Sequence, residues 1–177
     1  MIRRRMSSQP TRGIDGIFYR AVFADHAEQL LSGAISPEGR FHHDGQAALY
    51  LSSRVDWVAK AIAAYLRPDD PPRVVGAVTV TGARVVDLRR QAHCAAWGID
   101  ARDAAVPWLL ERGRGDMATS WRVSDAVRAG GADGMIYTAR SRPDRWHLVL
   151  FRWNGAGGPV LRQVGPLLPF QRPDGSG

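Results

Sequence analysis

Apolar residues along the chain gather in short runs between polar, Gly- or Pro-bearing stretches, and the period inside each run predicts the element it forms. Gly16-Ile-Phe-Tyr-Arg-Ala-Val22 reads as a first strand and Ala24 to Ile35 as a short helical segment. Ser36 to Gln46 is a polar loop, broken by Pro37, Gly39 and Gly45, and Ala47 to Ser52 is a nearly continuous apolar run of the kind a buried strand needs. Ser53 then offers a helix N-cap. Val55, Val58, Ala59, Ile62, Tyr65 and Leu66 follow at helical spacing until Pro68 closes the segment. Arg73 to Val80 and Ala83 to Leu88 flank Thr81-Gly82 and predict a hairpin. Gln91 to Gly130 is Ala-rich, interrupted at Gly98, Pro107 and Gly113, and predicts two or three short helices. Strand character returns at Gly134 to Thr138, Trp146 to Trp153 and Val160 to Val164.

Strands at both ends with helices between them imply an α+β fold, a central mixed or antiparallel sheet with flanking helices. The basic, aperiodic stretch 1–13 and the Pro- and Gly-rich stretch 169–177 are expected as flexible tails, which leaves one domain over residues 14–168. A chain of 177 residues with 45% hydrophobic and 23% charged content can bury such a core unaided.

A formal charge of +7 raises nucleic-acid binding as a possible role. The distribution weakens that reading, because Lys60 is the single lysine and the arginines are scattered instead of gathered on one helix face. No apolar run approaches the roughly 18 residues that span a bilayer, so no membrane partner is expected. Cys94 is the only cysteine, no metal-ligand spacing is present, and a reducing cytoplasm fits this composition.

Phosphate loops, nucleophile elbows and zinc-helix motifs are absent. The chemistry-bearing feature is Glu38-Gly-Arg-Phe-His-His-Asp-Gly45, where an acid, an arginine and two imidazoles precede the strand that carries Tyr50. Taken alone, such a loop is either solvated surface or the rim of a site.

An ordered series of segments changes those odds: Phe18-Tyr-Arg20, Gly39-Arg40-Phe41 through Gly45, Ala48-Leu-Tyr-Leu-Ser52, Val86-Asp-Leu88, Trp121, Gly131 to Tyr137, and Leu148 to Phe151. In order and spacing this series resembles the RES-domain toxins. The resemblance implies an ADP-ribosyltransferase-like fold and an enzyme that consumes NAD+ as co-substrate, beginning with loss of nicotinamide, without a metal. It also implies an antitoxin partner with a helix-turn-helix region that blocks the active site, so that nucleic acid is met only through that partner. The favoured activity is transfer of ADP-ribose to a protein acceptor. Hydrolysis or phosphorolysis of NAD+ is the alternative, and a silent toxin or an Arg-rich nucleic-acid-binding module is the remaining one.

By this resemblance Arg20 and Arg40 match the family arginines and would hold the pyrophosphate; Tyr19, on the first predicted strand, either lines the same cleft or packs in the core. Tyr50 matches the family tyrosine and would either stack on nicotinamide or pack in the core. His147 is a second cleft residue on the same terms, cleft or core. Two positions depart from the pattern. Counting along the helix after Tyr50 puts the family glutamate at Ala61, and counting after Tyr137 puts the family serine at Ala139, with Ser141 two residues on. Either the alignment slips locally or both groups are lost. Glu38 and His42 are the candidates to replace the glutamate, the first by stabilising a ribose cation or activating an acceptor, the second by binding ribose or moving a proton.

Overall fold

A computed structural model describes residues 9–173, so residues 1–8 and 174–177 of the two expected tails lie outside the described residues. Six strands, β1 (Arg12–Phe23), β2 (Leu49–Ser52), β3 (Arg73–Asp87), β4 (Gly134–Thr138), β5 (Trp146–Leu150) and β6 (Val160–Pro169), form one sheet in the order β1-β2-β5-β4-β3-β6. An additional β1–β3 pairing closes the first five into a ring. All pairings are antiparallel except β3–β4, which makes the sheet mixed. A parallel pair needs a long crossover, and here it holds α2 (Gln91–Trp97), α3 (Trp108–Gly113) and α4 (Ser120–Ala129); α1 (Val55–Ile62) follows β2.

β4 and β5 are apolar on both faces because both faces are covered. Met135, Tyr137 and Val149 enter a cluster with Phe41, Val86, Trp97 and Val127, while Ile136, Leu148 and Leu150 enter a second cluster with Phe18, Leu51, Val78 and Val85. Alternating side chains of one strand pair thus hold two cores together.

Three local expectations are corrected. Thr81-Gly82 does not turn the chain: β3 runs through it, and both halves pair with β1. The register slips between Ile14 and Gly16, Gly82 takes φ +74°, and its N–H donates to Asp15 Oδ1 at 2.8 Å. The glycine therefore makes a bulge, and pairing with a long neighbour replaces pairing of the two halves with each other. Ser53 does not cap α1; its hydroxyl donates to the Trp146 carbonyl at 3.1 Å, and the helix starts after Arg54 without a side-chain cap. The Ala24 to Ile35 segment reduces to a 3-10 turn at Ala24–Gln29, because the carbonyls of Gln29, Leu30 and Ser32 turn onto the Arg20 guanidinium. The Ala-rich middle holds α2, α3, α4 and a 3-10 turn at Ala101–Ala105.

Gly134 shows how closely β4 and β5 approach. A Cβ there would stand 2.0 Å from the Val149 carbonyl oxygen and 2.9 Å from Leu150 Cα, both backbone atoms that cannot swing away. Gly134→Ala is expected to cost about 3 kcal/mol of unfolding free energy in a urea titration, the upper range of overpacking. A loss under about 1 kcal/mol would mean that the two strands separate freely.

Candidate active site

Four strands place one row of side chains side by side. Tyr19 stands opposite Ser52, Ser52 opposite His147, and His147 opposite Tyr137, so the row crosses β1, β2, β5 and β4. All four line a cavity of about 610 Å³, within the range of small-molecule sites. Its other walls come from the 36–42 loop, from Val58, Ala61 and Ile62 of α1, and from Trp108 and Leu109 of α3.

Three arginines line it, Arg20, Arg40 and Arg140, and none has a carboxylate partner among the described residues. Arg20 gives one terminal nitrogen to the carbonyls of Gln29, Leu30 and Ser32. Burial pushes its pKa down to about 10, so it stays charged at neutral pH. Arg40 gives Nε and Nη2 to the Ala104 carbonyl at 3.0 and 2.6 Å, and its guanidinium lies 4.9 Å from the Phe41 ring centre and 5.0 Å from that of Tyr137. Burial lowers its pKa as well. Arg140 gives Nε to the Ala105 carbonyl at 3.0 Å. Backbone carbonyls orient the three cations and leave their charge unneutralised, as an anion site requires.

The acidic loop residue faces the same space. Glu38 is the one carboxylate lining the cavity, and Arg112 Nε donates to its Oε1 at 3.1 Å. His42 is 2% exposed and both ring nitrogens are engaged. The Phe41 N–H donates to the Tyr50 hydroxyl at 3.0 Å, that hydroxyl donates to His42 Nδ1 at 2.8 Å, and His42 Nε2–H donates to the Ser36 carbonyl at 2.9 Å. Burial lowers the His42 pKa and raises that of the Tyr50 phenol, so both stay neutral. This chain of bonds shapes the loop and leaves His42 no free nitrogen for a ligand. Gly39 admits the ring: a Cβ there would stand 2.4 Å from His42 Cε1.

Ser141 is exposed and does not line the cavity, whereas Ala139 and Arg140 beside it do. Ser52 and Arg140 join the site without having been singled out in sequence. Alternation along Leu49-Tyr-Leu-Ser52 puts Ser52 on the face of Tyr50, a signal that was available; nothing local marks Arg140 among so many arginines.

The loop is bolted from behind by α4. Ser120 donates to the Arg40 carbonyl, Trp121 Nε1 to the Gly39 carbonyl at 2.8 Å, and Arg128 to the carbonyls of Phe41 and Ala47 at 2.9 and 3.0 Å. His43 stacks on Trp121 with ring centres 4.5 Å apart and lies between Asp44 and Asp125, at 2.7 and 2.9 Å.

Residues 12–172 match the RES domain. The chain belongs to the RES-domain family. Among solved structures it is similar to a chain from the crystal structure of the M. tuberculosis MbcT–MbcA toxin–antitoxin complex, at a TM-score of 0.65 and 18% identity over 94% of this chain and 90% of that one. At that identity the likeness is one of fold, and it agrees with the mixed-sheet α+β architecture. No curated protein sequence matches the chain. In this RES domain, Ala61 and Ala139, the counted positions of the glutamate and serine, both line the cavity. Methyl groups thus face the cavity at both positions.

His43 generates a pH dependence. Burial pulls its pKa down, but hydrogen bonds to Asp125 and Asp44 together outweigh burial and raise it above the ordinary value. A histidine with a raised folded pKa contributes stability fully below about 6.5, and loses it as pH rises through the folded value. Asp125→Asn is therefore expected to cost about 1 kcal/mol near pH 6, a figure kept small because Asp125 is partly exposed, and less near pH 8.5. Thermal melts at the two pH values check this; an equal loss at both would assign the effect to lost packing and hydrogen bonds instead of charge.

Proposed function

We propose that this RES domain is the toxin of a toxin–antitoxin pair that cleaves NAD+ between nicotinamide and ribose and passes ADP-ribose to a protein acceptor. The observation that carries the reading is the charge arrangement of the cavity: three arginines without carboxylate partners, with Glu38 as the one carboxylate among them. The solved complex to which the fold is similar is a toxin–antitoxin complex by its title. Exposed apolar side chains on α3, Leu109 at 46%, which lines the cavity, and Leu110 at 61% beside it, suit a protein cover such as an antitoxin.

Each group then has a task. Arg20, Arg40 and Arg140 hold the pyrophosphate through charge-assisted hydrogen bonds, strengthened at Arg20 and Arg40 because burial strips those two of water. The C1′–N bond breaks with its electron pair leaving on nicotinamide, which departs neutral, and positive charge develops on the ribose ring. A carboxylate near that charge lowers the barrier. Glu38 is assigned this role, its Oε1 held by Arg112 and its second oxygen available to accept the proton that the acceptor nucleophile loses on attack. His42 and Tyr50 are assigned to positioning, since their mutual hydrogen bonds set the loop that presents Glu38 and Arg40. Ser141, outside the cavity, is assigned no step.

Purified chain, incubated in cell extract with NAD+ labelled on the adenylate phosphate, is expected to fix label on a discrete protein band, and Arg20→Ala to abolish it. Free ADP-ribose or its phosphate without a labelled band would replace transfer with NAD+ destruction, and no NAD+ turnover would overturn the enzymatic reading. Glu38→Gln is expected to lower kcat about a hundredfold with little change in KM, a scale set by the loss of one transition-state charge contact. Restoring a carboxylate on α1 with Ala61→Glu in that background is expected to recover at least tenfold of the loss, read as initial rate of nicotinamide release. Full activity of Glu38→Gln alone would remove Glu38 from the mechanism.

A further inference from the structure

Behind the arginines and Glu38 lies a polar pair to which the reaction as drawn assigns nothing. Ser52 and His147, 4% exposed each, face one another across β2 and β5, with Ser52 Oγ 3.1 Å from His147 Nδ1. The Ser52 hydroxyl has no other partner among the described residues. We assign the hydroxyl as donor to Nδ1, the arrangement that puts the ring proton on Nε2. That N–H has no protein acceptor. The buried side-chain nitrogens without a partner among the described residues are those of Arg73 and Arg145, and His147 Nε2 is not one of them, so it opens onto the cavity that the residue lines. A second-strand hydroxyl thus fixes the tautomer of an imidazole and aims one neutral donor into the site.

The surroundings specify what the donor meets. The imidazole ring centre lies 5.5 Å from that of Tyr137, which also lines the cavity, and 6.4 Å from that of Trp57, so aromatic rings flank the imidazole. The charged groups that act on it, Arg40 and Arg145, are both cations. A phosphate is served by the arginines, of which Arg40 reaches this end, 5.0 Å from the Tyr137 ring centre. A flat ring bearing a neutral carbonyl acceptor fits the aromatic walls and the uncharged N–H.

Resting on the NAD+ reading above, we infer that Ser52 and His147 form the subsite for the carboxamide of the nicotinamide ring, with His147 Nε2–H donating to the carboxamide oxygen. Ser52 is then a positioning residue, which holds the proton on the nitrogen that faces the ligand. Burial, with Arg40 and Arg145 adding to it, pushes the His147 pKa down to about 4. The ring consequently stays uncharged at neutral pH and adds no further positive charge to those of Arg40 and Arg145 beside the nicotinamide.

The test separates this subsite from the rest of the cavity by using two ligands. Carba-NAD+, in which a methylene replaces the ribose ring oxygen, keeps the carboxamide and resists cleavage; ADP-ribose lacks nicotinamide altogether. Calorimetric titration of the purified chain is expected to show His147→Leu binding carba-NAD+ about tenfold more weakly, the scale of one neutral hydrogen bond, with ADP-ribose affinity within about twofold of wild type. Retained ADP-ribose binding also reports that the variant is folded. Equal losses for both ligands, or an unchanged carba-NAD+ affinity, would overturn the subsite. Wild-type protein that binds neither ligand would overturn the NAD+ reading itself, and the subsite with it. A second measurement needs no substitution: in 15N-histidine-labelled wild-type chain, the His147 Nε2 resonance is expected to move with carba-NAD+ and stay in place with ADP-ribose. The same movement with both ligands would count against the assignment.

Discussion

The site depends on the attachment of one loop to one helix. Residues 39–47 carry Arg40 and His42, directly follow Glu38, and form no strand of their own, so their backbone groups need partners from elsewhere. α4 supplies them: Ser120, Trp121 and Arg128 bind the carbonyls of Gly39, Arg40, Phe41 and Ala47, and Asp125 holds His43. Phe41, fully buried, then anchors the loop in the core between the sheet and α4. A loop fixed at four carbonyls and one buried aromatic presents its polar side chains with strand-like precision. This explains why so irregular a segment can carry a site, and why α4, which contributes no cavity-lining residue, is structurally inseparable from it.

Electrostatics gives the cavity its bias toward an anion. Arg20 and Arg40 are taken largely out of water and offered only carbonyl dipoles, while other arginines of the same chain, such as Arg12 and Arg89 on Asp87, are matched to carboxylates. Asp87 shows the contrast: although burial raises its pKa, its hydrogen bonds to Arg89 and Arg12 bring it down to about 2. A buried cation without a counter-ion is unfavourable in the empty protein. That cost is offset when a ligand brings negative charge, so the folded chain holds part of its binding free energy in advance.

Legibility in the sequence followed the range of the interactions. α1 and the buried runs of β2, β4 and β5 were readable because period and composition are local. The Thr81-Gly82 bulge was read as a turn because the local signal is the same in both cases; the difference lies in β1, a long partner distant in sequence. Arg20 reshaping the segment after β1 was hidden for the same reason, since three carbonyls chose a side chain over a helix. Ser52 and His147 are 95 residues apart, and only strand register brings them together. Ala61 and Ala139, reached by counting from Tyr50 and Tyr137, both line the cavity, Ala61 on α1 and Ala139 just past the end of β4.

Those two alanines bear on how the site can work. With a methyl at Ala61, the α1 wall beside Val58 and Ile62 is wholly apolar, and negative charge enters the cavity from the loop side alone. A carboxylate on a helix is held by the backbone ladder of that helix. Glu38 is held instead by Arg112 of α3, whose guanidinium also lies 5.1 Å from the Trp121 ring centre and binds the Asp116 carbonyl at 2.8 Å. The Glu38 carboxylate, the α3 end and α4 are thereby coupled through one guanidinium. Arg112 is about one-third exposed, near the apolar rim formed by Leu109 and Leu110 on the same helix. The helix that holds the one carboxylate of the cavity through Arg112 is therefore also the helix that carries exposed apolar surface beside it.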